Sequence, residues 1–481
     1  MPRLLTKSSC IICAVLVYML AAVPGSFGKT QVEPPAEFLQ QVESNTLLKL
    51  DAIEKHLQEN IEKSDPSYSD RLRDKLIHLS MWPPVAGCSQ WFLETLGDSR
   101  TARNVFFFAM PLVKWMSDPF ILPTETEGPD AEKDIARVFK LISDLRSKGM
   151  SVSLDNVGDA SLSQEDALLY RRYYKTLMER FIASDTIPEL AVSIKLSALV
   201  DDLESAISGN DSSKKSAKRN EIKSAIAELL KTAAGTEKRI FIRIDMEEYA
   251  FKDLTLALFK EAVEENPSLI RNRDGSLRLG VVIQAYLRDS AHDVVELAKW
   301  ARERNLRAPI RLVKGAYLTH EREEAAKEHR KSPVWNFKPS TDANYEGICT
   351  YMLLNRDALQ PAFATHNIRS MAHVMALAEE LGIPSKEIEL QMLYGMGDPI
   401  KTVVVSMGYA MREYIPAGSL ARGLKYAGRR FHELSSGDNA LTRTLRGDFS
   451  AAVGTPPAFI GDEDIADGMF VKQAVLQSLE K

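Results

Sequence analysis

From about residue 130 onward, strand-like and helical patterns alternate eight times, and this rhythm predicts an α/β fold: a (βα)8 TIM-like barrel preceded by an N-terminal helical region. Two further observations narrow the choice. Eight units over roughly 300 residues suit a barrel of ordinary size. The first strand runs into Asp155-Asn-Val-Gly-Asp159, which is no glycine-rich dinucleotide turn, and no Walker loop is found, so a doubly wound nucleotide-binding sheet lacks its signature.

Composition supports one large globular domain with extensions: 481 residues, 45% hydrophobic and 26% charged. A net charge of −5 gives no electrostatic footprint for nucleic acid. The eight histidines are scattered without an HxxxH pair, and no metal site is expected. Cys10, Cys13, Cys88 and Cys349 cannot staple a disulfide scaffold, and no local signature marks any of them for thiol catalysis.

Residues 1–28 read as a signal peptide or membrane anchor. Arg3 and Lys7 form a basic start, Ile11 to Val23 is continuously apolar, and Ser26-Phe27-Gly28 offers small residues for cleavage. A mitochondrial presequence would instead be amphipathic and Arg-rich. The chain is therefore expected to be membrane-associated, exported or anchored through this segment. The alternatives are a mitochondrial inner membrane or the cytoplasmic face of a bacterial one.

Residues 29–129 form the helical N-terminal region, opening on a polar linker over 29–38. Leu39, Val42, Leu47, Leu50, Ile53 and Leu57 recur at helical spacing, and the helical pattern runs from Phe38 to about Leu96. Val105 to Trp115 is apolar on all sides apart from Lys114, which implies burial or packing on a partner or membrane surface.

The barrel, residues 130–446, begins with a helix over Ala131–Lys148 that stops at Gly149. The strand Ser151–Asp155, a helix near 163–184 and the strand Leu190–Ser197 follow. A charged helix with a Ser- and Lys-rich insertion over Asn210–Asn220 leads to the strand Arg239–Asp245. A further helix precedes the strand Leu279–Tyr286, and a helix over 291–304 precedes Ala308-Pro-Ile-Arg-Leu-Val-Lys-Gly-Ala-Tyr317. A long polar connection then leads to the strand Pro361–His366, a helix over 369–381 and the strand Glu389–Leu393. A helix over 398–409, the strand Arg412–Pro416 and a last helix from Ser419 to about Leu434 close the set. Residues 447–481 are a C-terminal extension.

Active sites of such barrels lie at the C-terminal ends of the strands. Those ends carry Asp155, Lys195, Asp245, Gln284 and Tyr286, Arg311 with Lys314 and Tyr317, Thr365-His366-Asn367, Gln391 and Leu393, and Tyr414. Lys195 and Arg311 sit inside apolar runs, where a cation needs a partner. The structural alternative to a ligand is an internal ion-pair network, for example Lys195 with Asp245. Gly315 lets backbone approach a ligand closely. On the last helix Tyr426, Arg429, Arg430 and Glu433 recur at three- and four-residue spacing, which fits either a solvated pair or a carboxylate clamp across the mouth. Lys195, Arg429 and Arg430 would together hold a small carboxylate, walled by Tyr317, Leu393, Tyr414 and Tyr426. No nucleophile with an adjacent base is visible, so an organic cofactor is expected to carry the chemistry.

These residues occur in motifs that resemble one family. Ser193-Ile-Lys195-Leu-Ser-Ala-Leu199, Ile244-Asp245-Met246-Glu247, Val282-Ile-Gln284-Ala-Tyr286, Arg311-Leu-Val-Lys-Gly-Ala-Tyr317, Ala364-Thr-His-Asn367, Gly395-Met-Gly397 and Tyr414-(x)11-Tyr426-x-x-Arg-Arg430 are similar, in order, to motifs of the FAD-dependent proline dehydrogenases, which also form one domain of bifunctional proline-utilisation proteins. The resemblance implies a distorted (βα)8 barrel with FAD at the strand ends. It implies Lys195, Arg429 and Arg430 as carboxylate anchors and Tyr317, Leu393, Tyr414 and Tyr426 as pocket walls. Asp245 would be the active-site aspartate, and Arg311 would lie near the reactive flavin nitrogen. Met246, Gln284, Arg311, Lys314, Gly315, Ala316, Thr365 and His366 would contact the cofactor. Two departures stand out: Asn156-Val-Gly-Asp159 replaces a usual Leu-Gly-Glu turn, and Gly428 replaces an apolar residue before the Arg pair.

The function so implied is oxidation of L-proline to 1-pyrroline-5-carboxylate by hydride transfer to FAD, with a quinone as electron acceptor and peripheral membrane contact. The alternatives are a dehydrogenase of hydroxyproline or another cyclic imino acid, which Tyr414 should crowd, and a non-catalytic amino-acid-binding module.

Overall fold

The computed structural model describes residues 34–63, 121–124, 131–157, 160–208, 211–418 and 456–480. The leader, the helical pattern beyond residue 63, the Val105–Trp115 stretch and the last helix with Tyr426, Arg429 and Arg430 lie outside the described residues.

A two-residue strand, β1 (Leu122–Pro123), precedes the barrel proper. The barrel is built from β2 (Met150–Asn156), β3 (Glu189–Ile194), β4 (Arg239–Ile244), β5 (Leu279–Gln284), β6 (Ala308–Val313), β7 (Leu359–Ala364), β8 (Glu389–Leu393) and β9 (Ala410–Gly418). All pair in parallel in chain order, and β9 closes the ring because Tyr414 is in register with both Leu393 of β8 and Ser153 of β2. β1 adds beside the end of β9, with Leu122 opposite Ala417.

Alternation along the strands explains the closure. One face is apolar and packs under the helices: Leu154, Val192, Ile194, Ile242, Ile244, Val281, Ile310, Leu312, Phe363 and Leu390 are all fully buried. The other face carries Ser153, Asp155, Ser193, Arg243, Asp245, Gln284, Arg311, Gln391, Arg412 and Tyr414 toward the axis, so the barrel has a polar centre inside an apolar shell.

The helices are α1 (Pro34–Lys63), α2 (Ala131–Ser147), α3 (Gln164–Ala183), the one-turn α4 (Leu196–Leu199), α5 (Ser212–Ala234), α6 (Lys252–Glu265), α7 (Ser290–Glu303), α8 (Leu318–Lys327), α9 (Lys338–Leu354), α10 (Ile368–Glu380), α11 (Asp398–Ser406) and α12 (Asp462–Leu479). α1 packs on α10 and α11 through Val42, Thr46, Leu50, Ile53 and Leu57, and α12 packs on α9 and α7.

The sequence-derived outline needs four corrections. The Ser- and Lys-rich stretch from 211 to 220 does not interrupt its helix but begins it: Asp211 is the cap, accepting from Ser213 N at 2.9 Å and Lys214 N at 3.2 Å, and α5 starts there. The polar connection after Tyr317 holds α8 and α9. Neither shows an apolar stripe, since α8 is mostly charged and α9 buries Ser340, Asn344, Glu346 and Thr350 beside its apolar residues. Strand β3 ends at Ile194 because Leu196–Leu199 turns into a helix. β1 is too short to leave any periodicity.

Behind the barrel, Lys401 of α11 is fully buried and bonds Asp398 at 2.9 Å and Glu413 of β9 at 3.1 Å. Removing one partner of such a pair leaves an uncompensated buried charge. Lys401→Ala is expected to lower unfolding free energy by about 3–5 kcal/mol in urea melts, and the Lys401→Met/Glu413→Leu pair to recover most of it.

Candidate functional site

At the C-terminal ends of β2, β3, β4, β6 and β9 one constellation crosses the barrel. The Arg311 Nη1 donates to Asp245 Oδ1 at 2.8 Å and to Ser193 Oγ at 3.1 Å, while Nη2 donates to Ser153 Oγ at 3.2 Å. Tyr414 donates its hydroxyl to the other Asp245 oxygen at 2.9 Å, and its ring lies 5.1 Å from the guanidinium. Arg311 is 4% exposed, and its Nε has no hydrogen-bond partner. Burial raises the Asp245 carboxyl above its ordinary range, opposed by the Arg311 charge. Burial, with Asp155 and Asp245 nearby, pushes the Tyr414 phenol well up, so it stays a donor.

Beside this group Lys195 donates to both oxygens of Asp155 at 2.8 Å. Burial pulls the ammonium pKa down, but Asp155, Tyr170 and Asp245 together outweigh it and the net shift is upward, so Lys195 stays charged. Its partner is thus Asp155, not the Asp245 suggested as an example, because Asp245 is engaged by Arg311 and Tyr414. Asp155, near the end of β2 and just before the turn that departs from the family pattern, thus has a defined partner.

A second group laces the rim. Gln284 donates from Nε2 to the Glu247 carbonyl at 2.9 Å and accepts from Ala316 N at 3.4 Å. The Glu247 carboxylate accepts from Ser197 N at 3.0 Å and from the Ser197 hydroxyl. Met246, next to it, is buried. Glu247, Ser153 and Ser193 were not singled out from sequence. Their even-numbered spacing from Asp245, Asp155 and Lys195 along the strands was the available signal.

The third group lies at β6 and β7. Lys314 bonds the Asp342 carboxylate and Ser370 Oγ (3.3 Å) and sits 5.3 Å from the Tyr345 ring. Burial lowers its pKa, with Asp342 opposing. Gly315 and Ala316 expose their backbone. Gly315 has φ +134°, and a Cβ there would stand 2.4 Å from the Tyr286 ring, so the close approach that requires glycine is to Tyr286. Thr365 is buried and accepts from Asn367 N at 3.0 Å, and His366 Nε2 accepts from Leu393 N at 3.1 Å, which leaves that nitrogen unprotonated. Tyr317 is half-buried against Tyr286, Leu287 and Val334. Among the described residues no group of three His, Cys, Asp or Glu side chains is arranged to hold a metal ion. Tyr426, Arg429 and Arg430 are outside the described residues.

Below the constellation Arg412 pairs with Glu389 through two bonds, Nε at 3.0 Å and Nη2 at 3.1 Å, and donates to the Val152 carbonyl at 2.9 Å. Burial would raise the Glu389 carboxyl, but Arg412, with Arg243 and Gln391, prevails and holds it at about 2.

Comparison with known proteins places this geometry. The model of the family "Proline dehydrogenase" matches residues 138–443. The chain is 27% identical over 285 residues to proline dehydrogenase 1 of Bacillus subtilis (strain 168), covering 59% of this chain and 79% of that one. It is 29% identical over 322 residues to the bifunctional protein PutA of Klebsiella aerogenes, covering 64% of this chain and 23% of the other. Among solved structures, proline utilization A from Bdellovibrio bacteriovorus, inactivated by N-propargylglycine, superposes with TM-score 0.70 at 30% identity, over 85% of this chain and 42% of that one. The chain thus spans less than half of that longer structure.

The Glu389 pair makes a pH prediction. Its folded pKa lies below the ordinary 4.5, so the pair contributes stability above about pH 4.5 that is lost as pH falls toward 2. The contribution is on the order of 3 kcal/mol. Glu389→Gln should flatten the fall in urea-unfolding free energy between these pH values; an unchanged acid limb would contradict the assignment.

Proposed function

Because the chain belongs to the proline dehydrogenase family and is an oxidoreductase acting on proline, we propose that it oxidises L-proline to 1-pyrroline-5-carboxylate with bound FAD and passes the electrons to a quinone. The observation that carries this reading is the cross-barrel set Arg311–Asp245–Tyr414 beside Lys195–Asp155, at the strand ends where such barrels do chemistry.

The described residues fit a flavin in their donor chemistry. Arg311 brings a permanent positive charge and an Nε without a partner, Lys314 brings a second cation, and Gly315–Ala316 offer exposed backbone. Gln284 and His366 line neighbouring strand ends. FAD, when bound, supplies the acceptor for the hydride that leaves the proline ring carbon beside nitrogen. The protein's part is positioning and electrostatics. Arg311 favours negative charge developing on its neighbour, and Asp245 keeps Arg311 aimed while Tyr414 fixes Asp245.

Charge balance sharpens the substrate reading. In the described mouth Lys195 is matched by Asp155 and Arg311 by Asp245. That pair of pairs is neutral, so the net attraction for the proline carboxylate comes from Arg429 and Arg430, with Lys195 offering its remaining proton. Leu393, Tyr317, Tyr414 and Tyr426 wall the ring. The apolar leader over residues 1–28 supports attachment to a membrane, where a quinone is at hand.

Purified protein should be yellow, with flavin bands that bleach when proline is added anaerobically. A colourless protein that cannot be reconstituted with FAD would sink the cofactor assignment. Arg429→Ala is expected to raise KM for proline roughly 10- to 100-fold, the worth of one charge-assisted hydrogen bond, with the melting temperature little changed. Unchanged kinetics would remove Arg429 from the anchor set.

A further inference from the structure

One buried cation next to the β7 turn is neutralised from outside the barrel. Arg369, in the first turn of α10, is 3% exposed and permanently charged. Its Nη2 donates to both oxygens of Glu43, at 3.0 and 2.7 Å. Glu43 belongs to α1, ahead of the segment that the family model matches. The other carboxylate beside Arg369 is Glu346 of α9, whose Oε2 stands 3.5 Å from the same nitrogen. The second Glu346 oxygen accepts from Ser370 Oγ at 3.4 Å, and Ser370 Oγ in turn accepts from Lys314 Nζ at 3.3 Å.

Charge fixes who serves whom. Lys314, Arg369 and, at the rim, Lys338 are the cations, and Asp342, Glu346 and Glu43 are the carboxylates around them, Asp342 bonding both lysines. His373 lies 3.9 Å from Glu346 and stays neutral, since burial and then Arg369 pull its pKa down to about 4. While Glu43 holds Arg369, Glu346 is free to accept from Ser370, and Ser370 to hold Lys314. Without Glu43, Arg369 must take Glu346 alone, because an unpaired buried guanidinium is far costlier than a broken hydroxyl bond. Ser370 then loses its acceptor and turns away, and Lys314 is left to Asp342 alone.

We propose that Glu43 of α1 is a positioning residue for the cofactor site, setting through Arg369, Glu346 and Ser370 where the Lys314 ammonium and the Thr365-His366-Asn367 turn stand. Asn367 caps the same first turn of α10, accepting from Arg369 N at 3.0 Å, so the turn and the guanidinium move together. The helix itself stays docked by its apolar face of Val42, Leu50, Ile53 and Leu57. The inference rests on the FAD reading above.

The test titrates FAD into apo-protein and follows quenching of flavin fluorescence, for wild type, Glu43→Gln, Glu43→Asp and Lys49→Ala. Lys49→Ala, on α1 like Glu43, removes a surface pair with Glu379 of α10. Coupling through a packed network predicts that Glu43→Gln weakens FAD binding about 3- to 30-fold, with the bound-flavin spectrum shifted, while Glu43→Asp restores affinity and Lys49→Ala leaves it at the wild-type value. Equal FAD affinity and spectrum in wild type and Glu43→Gln would overturn the inference, even if the melting temperature falls. Wild-type protein that takes up no FAD would overturn the cofactor reading and this inference with it.

Discussion

A guanidinium at the centre of a barrel must be compensated where it stands, because it cannot shed its proton and cannot reach water. Arg311 meets this need by reaching across the axis. Its partners come from β2 (Ser153), β3 (Ser193) and β4 (Asp245), and the Tyr414 ring of β9 lies against it. One side chain on β6 therefore ties together strands that are not its neighbours in the sheet. The arrangement exists only because the sheet closes, with β9 in register with both β8 and β2. The apolar shell is not peculiar to this chemistry; the polar axis is, and it dictates which residue types the inward positions accept.

From that ion pair the mouth divides into two sides. On the β2–β3 side Lys195 is held by both oxygens of Asp155. On the β6–β7 side Lys314 is held by Asp342 and Ser370, and His366 accepts from Leu393 N. The rim between them is laced by Glu247, whose carboxylate holds Ser197 and whose carbonyl holds Gln284.

Both ends of the described chain brace the helices behind this second side. Asp464 of α12 is fully buried, accepts from Asn336 N at 3.1 Å and bonds Arg288 at 2.9 Å. It thereby fixes the start of α9, the helix that carries Asp342 and Glu346. Glu43 of α1 performs the equivalent service for α10. Neither helix lies in the segment matched by the family model, yet both bear on the packing around Lys314.

The eight strands were legible because each buries one face and alternates, and because the inward cations interrupt apolar runs where nothing else explains them. The strand-end residues were legible for the same reason. Helices α8 and α9 were not, since one is solvated and the other buries polar side chains, so neither leaves a stripe. The sequence by itself determined the barrel, its order and five of the charged groups at its mouth, Asp155, Lys195, Asp245, Arg311 and Lys314. Pairing was left to the tertiary structure. That Lys195 takes Asp155 and Arg311 takes Asp245, that Gly315 makes room for Tyr286, and that Glu43 completes Arg369 follow from distances between residues far apart in the chain, and electrostatic partnership depends on those distances and on burial rather than on spacing along the sequence.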